Sequence, residues 1–538
     1  MLKLNRKGLM DVGAWKKAGI SLPEFDIDRM ESETNRNPQW VHFGTGNIFR
    51  AFPAVMQQKL LDRGIVKTGI IAVKTYDWKT IDEMFAPFDN LSLVVIMEPG
   101  GRLDMRVVGS ICTTLAGDPA HETHWNRLHE IFSAPSLQMV SFTITEKGYS
   151  LRSLPGEYAE EILEDMRNGP ENPRHAMSKT AALAYTRFRS GRLPLAFVSM
   201  DNCAHNGDRL KASLVEIAGH WEANGLVEKG FVAYLEDPAL VSFPWTMIDK
   251  ITPRPSDRVR ETLNSLGLGT GETLQTEKHS FIAPFVNAER AEYLVIEDSF
   301  PNGRPPLELA GTYFTDRETV DRVERMKVGT CLNPLHTSLA VFGCLLGYTL
   351  IADEMKDPAL KKLVEKIGFE EGMPVVDDPG IISPGEFIRE VIEERLPNPN
   401  IPDSPQRIAM DTSQKVGIRF GGTIRAYRDR NGLDPAELKY IPLVIAAWCR
   451  YLTGIDDRGN PMPLSPDPLL DSLCPHLAGV RLGEPYSGEG RLRPILSNSG
   501  IFSVDLYDVG LGKKIEGYFS EMIEGPGAVR KTLDKYLS

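Results

Sequence analysis

The segment "RMKVGTCLNPLHTSLAVFG", Arg325 to Gly343, sets Lys327, Asn333 and His336 in otherwise apolar surroundings. A lysine beside a buried stretch must either reach water or lose proton affinity, and one that loses it is a general base. Asn333 followed by Pro334 predicts an N-cap and first-position pair, so a helix should open there with His336 in its first turn. A histidine at that end of a helix is biased toward its neutral form and can orient a hydroxyl or donate to a carbonyl oxygen. Capping accounts for Asn333 without chemistry, and a satisfied buried ring accounts for His336; Lys327 resists such an account. Other alcohol chemistries lack their residues. No Y-x-x-x-K dyad occurs, and His121, His124 and His129 form a weak metal group that reads more simply as a solvated helix face. Proton abstraction by a lone lysine remains, and joined to a nucleotide fold and no metal it leaves metal-free hydride transfer.

Hydride transfer calls for a dinucleotide, and "VHFGTGNIFRAF", Val41 to Phe52, is the place for one. An apolar run enters Gly44-x-Gly46 and then a helical pattern, so the backbone can approach a pyrophosphate at a helix N-terminus. Gly44, Gly46, Asn47 and Arg50 are the candidate contacts; Phe49 stands where a third glycine is usual, and Arg50 is a planar donor suited to phosphate. A G-x-G after a strand is also an ordinary tight turn, and only its position after a first strand favours the nucleotide reading.

Elements must position these groups. "WVHF", "GIIAV", "LSLVVIM", "MVSFTIT" and "LAFVSM", within the first 200 residues, are short apolar runs followed by polar or glycine residues and helical patterns, which predicts a mostly parallel sheet covered on both faces. Ligands bind beyond the carboxyl ends of such strands, where Lys74, then Glu146 and Lys147, then Asp201 and Asn202 occur. Each alone would be a turn cap. Past about residue 320 helical patterns dominate: Pro334 to Met355, Pro358 to Ile367, Pro384 to Arg395, Ala436 to Thr453, Val529 to Leu537. The expected fold is α/β, a doubly wound Rossmann-like domain over residues 1–300 followed by a mainly helical domain over 301–538 that carries the catalytic segment.

The chain of 538 residues has room for both domains. Its formal net charge of −12 offers no general field for nucleic acid or anionic lipid, so neither is an expected partner. Val328 to Ala352 lacks Asp, Glu, Lys and Arg, but its Asn, Pro, His and Gly residues mark a buried core helix rather than a membrane span. Six scattered cysteines without C-x-x-C, and a start with no apolar h-region, predict reduced thiols in a cytoplasmic protein.

Taken in order, these residues resemble the polyol-specific long-chain dehydrogenases and reductases, the mannitol dehydrogenase family. The resemblance covers most of the chain. It rests on "VHFGTGNIFRAF", "SFTITEKGY", "SMDNCAHNGD", "FPWTMIDKITP", "EDSFPNGRPPLELAG", the Lys/Asn/His segment and "NPNIPDSPQRIAMDTSQK". It implies a dinucleotide domain and a helical domain with the active site between them, Lys327 as general base, and Asn333 and His336 as donors to the substrate oxygen. It also implies that Asn202, Asp249, Arg407 and Lys415 contact substrate hydroxyls or tune the base. Two departures stand out: five residues, Val328 to Leu332, separate the lysine from the asparagine where the family pattern has four, and Met410 holds a position that is sometimes histidine.

The expected cofactor is NAD, with NADP open, because the second strand ends in Lys74 rather than an acid while Asp77 lies close by. For the substrate, Arg407 and Lys415, with Lys147 and Arg254 beside other motifs, favour a carboxylate-bearing sugar over a neutral one. D-fructuronate and D-mannonate come first, mannitol with fructose is the runner-up, and tagaturonate is a further alternative. A nucleotide-binding sensor without catalysis is the competing class, permitted by the altered lysine spacing. A monomer is expected, with a dimer as the alternative.

Overall fold

The run Trp40–Phe43 is buried at all four positions, as a strand covered on both faces must be. In the computed structural model, which describes residues 2–154, 156–269, 271, 273–275, 281–486 and 490–537, it is the centre of a six-stranded sheet. The strands are β1 (Trp40–Phe43), β2 (Ile70–Lys74), β3 (Ile111–Ala116), β4 (Met139–Phe142), β5 (Leu195–Ser199) and β6 (Val241–Ser242). Their spatial order is β3-β2-β1-β4-β5-β6, and every neighbouring pair is parallel. Val41 aligns with Ile71 on one side and Val140 on the other. The order reverses between β1 and β4, and the crevice beyond the carboxyl ends of these two strands is where such a sheet takes its ligand. Alternation sends Val41, Phe43, Val140 and Phe142 into one core, and Trp40, Met139 and Val198 into the core on the opposite face.

"LSLVVIM" is a strand, Ser92–Met97, but it does not join this sheet. It pairs antiparallel with Leu103–Val108 and parallel with Phe285–Glu289 in a separate four-stranded sheet. The chain turns straight back after Met97, so its nearest partner is antiparallel. Two strands that the sequence did not single out complete the main sheet: β3, in which two threonines interrupt the apolar pattern, and β6, only two residues long.

The chain divides into two compact units, residues 1–98 with 102–321, and 322–538 with 99–101. The division falls inside helix α3 (Arg317–Met326) rather than near 300, because Tyr293–Glu297 pairs with Thr246–Asp249 on one side and Tyr313–Thr315 on the other, in a three-stranded sheet of the first unit. Before α3 come α1 (Asn47–Ala51) and α2 (Asn206–Ala223). After it the second unit is helical: α4 (Asn333–Leu346), α5 (Pro405–Ile408), α6 (Thr412–Val416) and α7 (Tyr440–Tyr451) carry or support the candidate site. The helical pattern expected over 334–355 breaks at Gly347, whose φ of +81° ends α4 before the short helix Ile351–Glu354. α7 starts at Tyr440 because the buried Glu371 carboxylate accepts the backbone N–H groups of Lys439, Tyr440 and Ile441. The continuous helical stretch Arg317–Leu346 is long and apolar enough to cross a membrane, yet 72% of its apolar window is buried within the fold, as in a core helix.

Candidate active site

In the first unit β1 runs into Gly44, whose φ is +107° and whose N–H donates to the Val73 carbonyl at 2.9 Å. A Cβ there would lie 2.2 Å from the Thr143 carbonyl oxygen, so both conformation and space require glycine. Gly46 caps α1, and a Cβ on it would meet nothing within 4 Å. Thr45 between them is buried, with a hydroxyl that has no partner among the described residues. An open cradle, an unpaired hydroxyl and the free amides of a helix start fit a pyrophosphate.

Arg50 does not belong to that cradle. It is fully buried and donates to the Ala283 carbonyl at 2.7 Å and to Asn47 Oδ1 at 2.9 Å, and burial lowers its pKa to about 9. Phe49 stacks on His42 at 4.1 Å, and its neighbour Arg50 is directed inward. The expectation that Arg50 meets phosphate is therefore corrected. Asn47 stays at the first helical position, but its side-chain oxygen is taken by Arg50.

Lys74 ends β2 half-buried, and its carbonyl accepts from Gly117. Glu146 and Lys147 open a short 3₁₀ turn beyond β4, both exposed, with Glu146 paired to Arg209 at 2.8 Å. Asp201, after β5, clamps this loop: its carboxylate accepts from the Ile144 and Thr145 amides at 2.9 Å and from the Tyr149 hydroxyl at 2.6 Å. Asn202 follows it, exposed, and Asp249 is buried at the end of Thr246–Asp249. His124 and His129 serve the fold, binding the Ala116 amide and the Thr186 hydroxyl.

In the second unit Lys327 is 2% exposed and opens a π-helical turn, Lys327–Cys331, continuous with α3. The Leu332 N–H returns to the Lys327 carbonyl at 3.1 Å, five residues back, and the His336 N–H donates to the Leu332 carbonyl at 3.0 Å. Leu332 thus takes the cap position, and Asn333 is the first residue of α4 rather than its cap. Asn333 therefore does not cap α4, and its side chain is only partly buried in the first turn.

His336 Nε2 stands 3.6 Å from Asp403 Oδ2, beyond hydrogen-bond reach, and has no partner among the described residues. Burial lowers the ring's pKa to about 4; Asp403 opposes this and Arg419, Arg407 and Arg395 add to it. The imidazole is neutral at neutral pH. Arg407, on α5, is exposed and paired with Asp403. Lys415, on α6, donates to the Met410 carbonyl, and its pKa is lowered first by burial and then by Arg419.

Arg419 and Asp403 are the residues that sequence reasoning missed. Each lies four positions from a residue that was named, Lys415 and Arg407 respectively, which is one helical turn and the only local signal for either. Arg419 sits on a second π turn, Gly417–Gly421, and donates to Thr337 Oγ1, one residue past His336.

Models of the mannitol dehydrogenase Rossmann domain and of the mannitol dehydrogenase C-terminal domain match residues 38–309 and 319–522. A D-mannonate oxidoreductase of Thermotoga maritima is 55% identical over 99% of this chain and 99% of its own length. One from Escherichia coli is 28% identical over 90% and 92%. The chain belongs to the mannitol dehydrogenase family. Among solved structures, the Pseudomonas fluorescens mannitol 2-dehydrogenase in ternary complex with NAD and D-mannitol has a TM-score of 0.69 at 25% identity, covering 100% of this chain and 99% of that one. As a mannitol dehydrogenase family member the protein is an oxidoreductase acting on CH–OH groups. The five residues between Lys327 and Asn333 contain most of the π turn Lys327–Cys331, one residue wider than an α-helical turn, after which the chain continues into α4.

Proposed function

We propose that this protein interconverts D-fructuronate and D-mannonate, using NAD(H). The observation that carries the substrate reading is the charge around His336: Arg419, Arg407 and Arg395 act on the ring, and Asp403 is the acid that opposes them. A neutral hexitol has no use for such a surplus, whereas a hexuronate brings a carboxylate to it. The relative of 55% identity that is described as a D-mannonate oxidoreductase supports the same reading.

Lys327 is the proton acceptor, taking the hydroxyl proton during oxidation and returning it during reduction. Its burial keeps water from competing for that proton. The Asn333 amide and the neutral His336 ring hold the substrate oxygen, which gains negative character as its proton leaves. A neutral donor suits this role because it stabilises the oxygen without protonating it. Asn202 and Asp249 are proposed to contact substrate hydroxyls. The Gly44–Asn47 turn, Lys74, Glu146 and Lys147 are proposed to hold the dinucleotide, which when bound supplies the site for the hydride. NAD is the expected choice, with incomplete discrimination because Lys74 stands where an acid is usual; at least tenfold better efficiency with NADPH would overturn it.

Side-by-side kinetics on fructuronate, tagaturonate, fructose and mannonate test the substrate. Fructuronate and mannonate should be turned over most efficiently. Efficient turnover of fructose or mannitol with none on the uronates would sink the sugar-acid reading.

A further inference from the structure

The π turn that carries Arg419 is locked from behind. A Cβ on Gly417 would lie 2.6 Å from the Ile501 carbonyl oxygen, and one on Gly421 1.9 Å from that of Phe502. The backbone of the turn therefore rests directly on the Ile501–Phe502 backbone through its two glycines. Its opposite side meets the catalytic segment. Arg419 Nη1 donates to Thr337 Oγ1 at 2.5 Å, Thr423 reaches back to the Gly329 carbonyl at 3.5 Å, and the turn packs against both Lys327–Cys331 and α4. Two π turns, one bearing Lys327 and one bearing Arg419, thus face each other beside His336.

The bonding of Arg419 is incomplete. Its one hydrogen bond goes to a neutral hydroxyl, and among the described residues no carboxylate pairs with it. Burial alone lowers its pKa to about 10, with no acid counteracting. A half-buried guanidinium without a counter-charge destabilises a fold unless an anion arrives to complete it. Arg407 is exposed and already paired with Asp403, and Lys415, which has no planar fork, bonds the Met410 carbonyl, so of these three cations Arg419 is the buried guanidinium that no carboxylate among the described residues pairs.

We propose that Arg419 binds the carboxylate of the substrate and so sets the preference for sugar acids over neutral sugars. This rests on the sugar-acid reading above. A bidentate pair would hold one end of the hexuronate while Lys327, Asn333 and His336 engage the reacting carbon's oxygen. The locked turn keeps the fork in place before substrate arrives.

The test compares a keto-hexuronate with its uronamide, the same sugar with a neutral carboxamide, on the parent protein, R419Q and R419K. The parent should prefer the uronate by about a hundredfold or more in kcat/KM, since a site built for a charged group rejects the analogue lacking it. R419Q should collapse that ratio to within a few-fold, mainly through KM, and R419K should restore part of it by keeping the charge without the fork. An unchanged ratio in R419Q overturns the proposal. So does a parent that treats uronate and uronamide alike, a result that needs no variant to fold. A parent inactive on both fructuronate and tagaturonate would instead remove the sugar-acid reading itself.

Discussion

In the proposed reaction Lys327 has the hardest task, since as the base it would take a proton while almost wholly enclosed. Replacing it with alanine should lower kcat by about 10² to 10⁴ with dinucleotide binding retained, the usual loss for a general base. Turnover within a few-fold of the parent would take Lys327 out of the mechanism. A different buried group, Glu354, has no part in the proposed reaction. It is fully buried, neither oxygen has a partner among the described residues, and burial, then Asp357, push its pKa well above the ordinary value of 4.5. The folded chain therefore holds this proton to higher pH than the unfolded chain does, and that difference weakens folding as pH rises above 4.5. Glu354→Gln removes the difference while keeping shape. It should raise stability at pH 7, and the gain should shrink by pH 5; urea unfolding at both values reads it. An equal effect at the two pH values would mean that Glu354 is ionised in the fold.

At the scale of elements, the turn Gly417–Gly421 offers a sharp contrast. Gly421→Ala drives a methyl into the Phe502 backbone and should destabilise the protein by about 1–3 kcal/mol or more. Gly422→Ala, one residue on in helix Gly422–Asp429 with nothing within 4 Å, should stabilise by roughly 0.5–1 kcal/mol. Thermal melts of the two variants check this, and similar melting points would contradict it. That contrast was not legible beforehand, because two adjacent glycines look alike until the neighbouring backbone is in view. Long apolar strands were legible: "WVHF" and "LAFVSM" carry their own pattern. β6 was not, since two residues have no periodicity. Lys327, Asn333 and His336 were legible as residue types in an apolar setting. The true cap was not, because a π turn leaves no mark in residue spacing except an extra residue. Arg50 was misread because sequence shows a donor's type and not which way its helix turns it.

Over the whole molecule, each unit buries a neutral histidine. In the first, His42 is held by Ser141 and Thr143 hydroxyls and burial lowers its pKa to about 3; in the second, His336 falls to about 4. Unfolded imidazoles protonate near 6.5. Between that value and the folded ones the unfolded chain binds more protons, so stability falls as pH drops, by up to about 1.4 kcal/mol per pH unit for each ring. Raised carboxyls such as Glu354 and Glu371 act in the opposite direction. His42→Gln isolates one ring: its stability should vary less steeply between pH 6.5 and 5 than the parent's, and parallel slopes would show that His42 titrates normally in the fold. The strand order has a consequence in time. β1 sits at the centre of its sheet, beside β4, yet β4 begins only at residue 139. Phe285–Glu289, the partner of Ser92–Met97, comes later still. At roughly 5–20 residues per second of synthesis, the growing chain carries the open edge of β1 for about 5–20 s and that of Ser92–Met97 for longer. Both edges close only after those later strands emerge, and both do so before Lys327, Asn333 and His336 have been made.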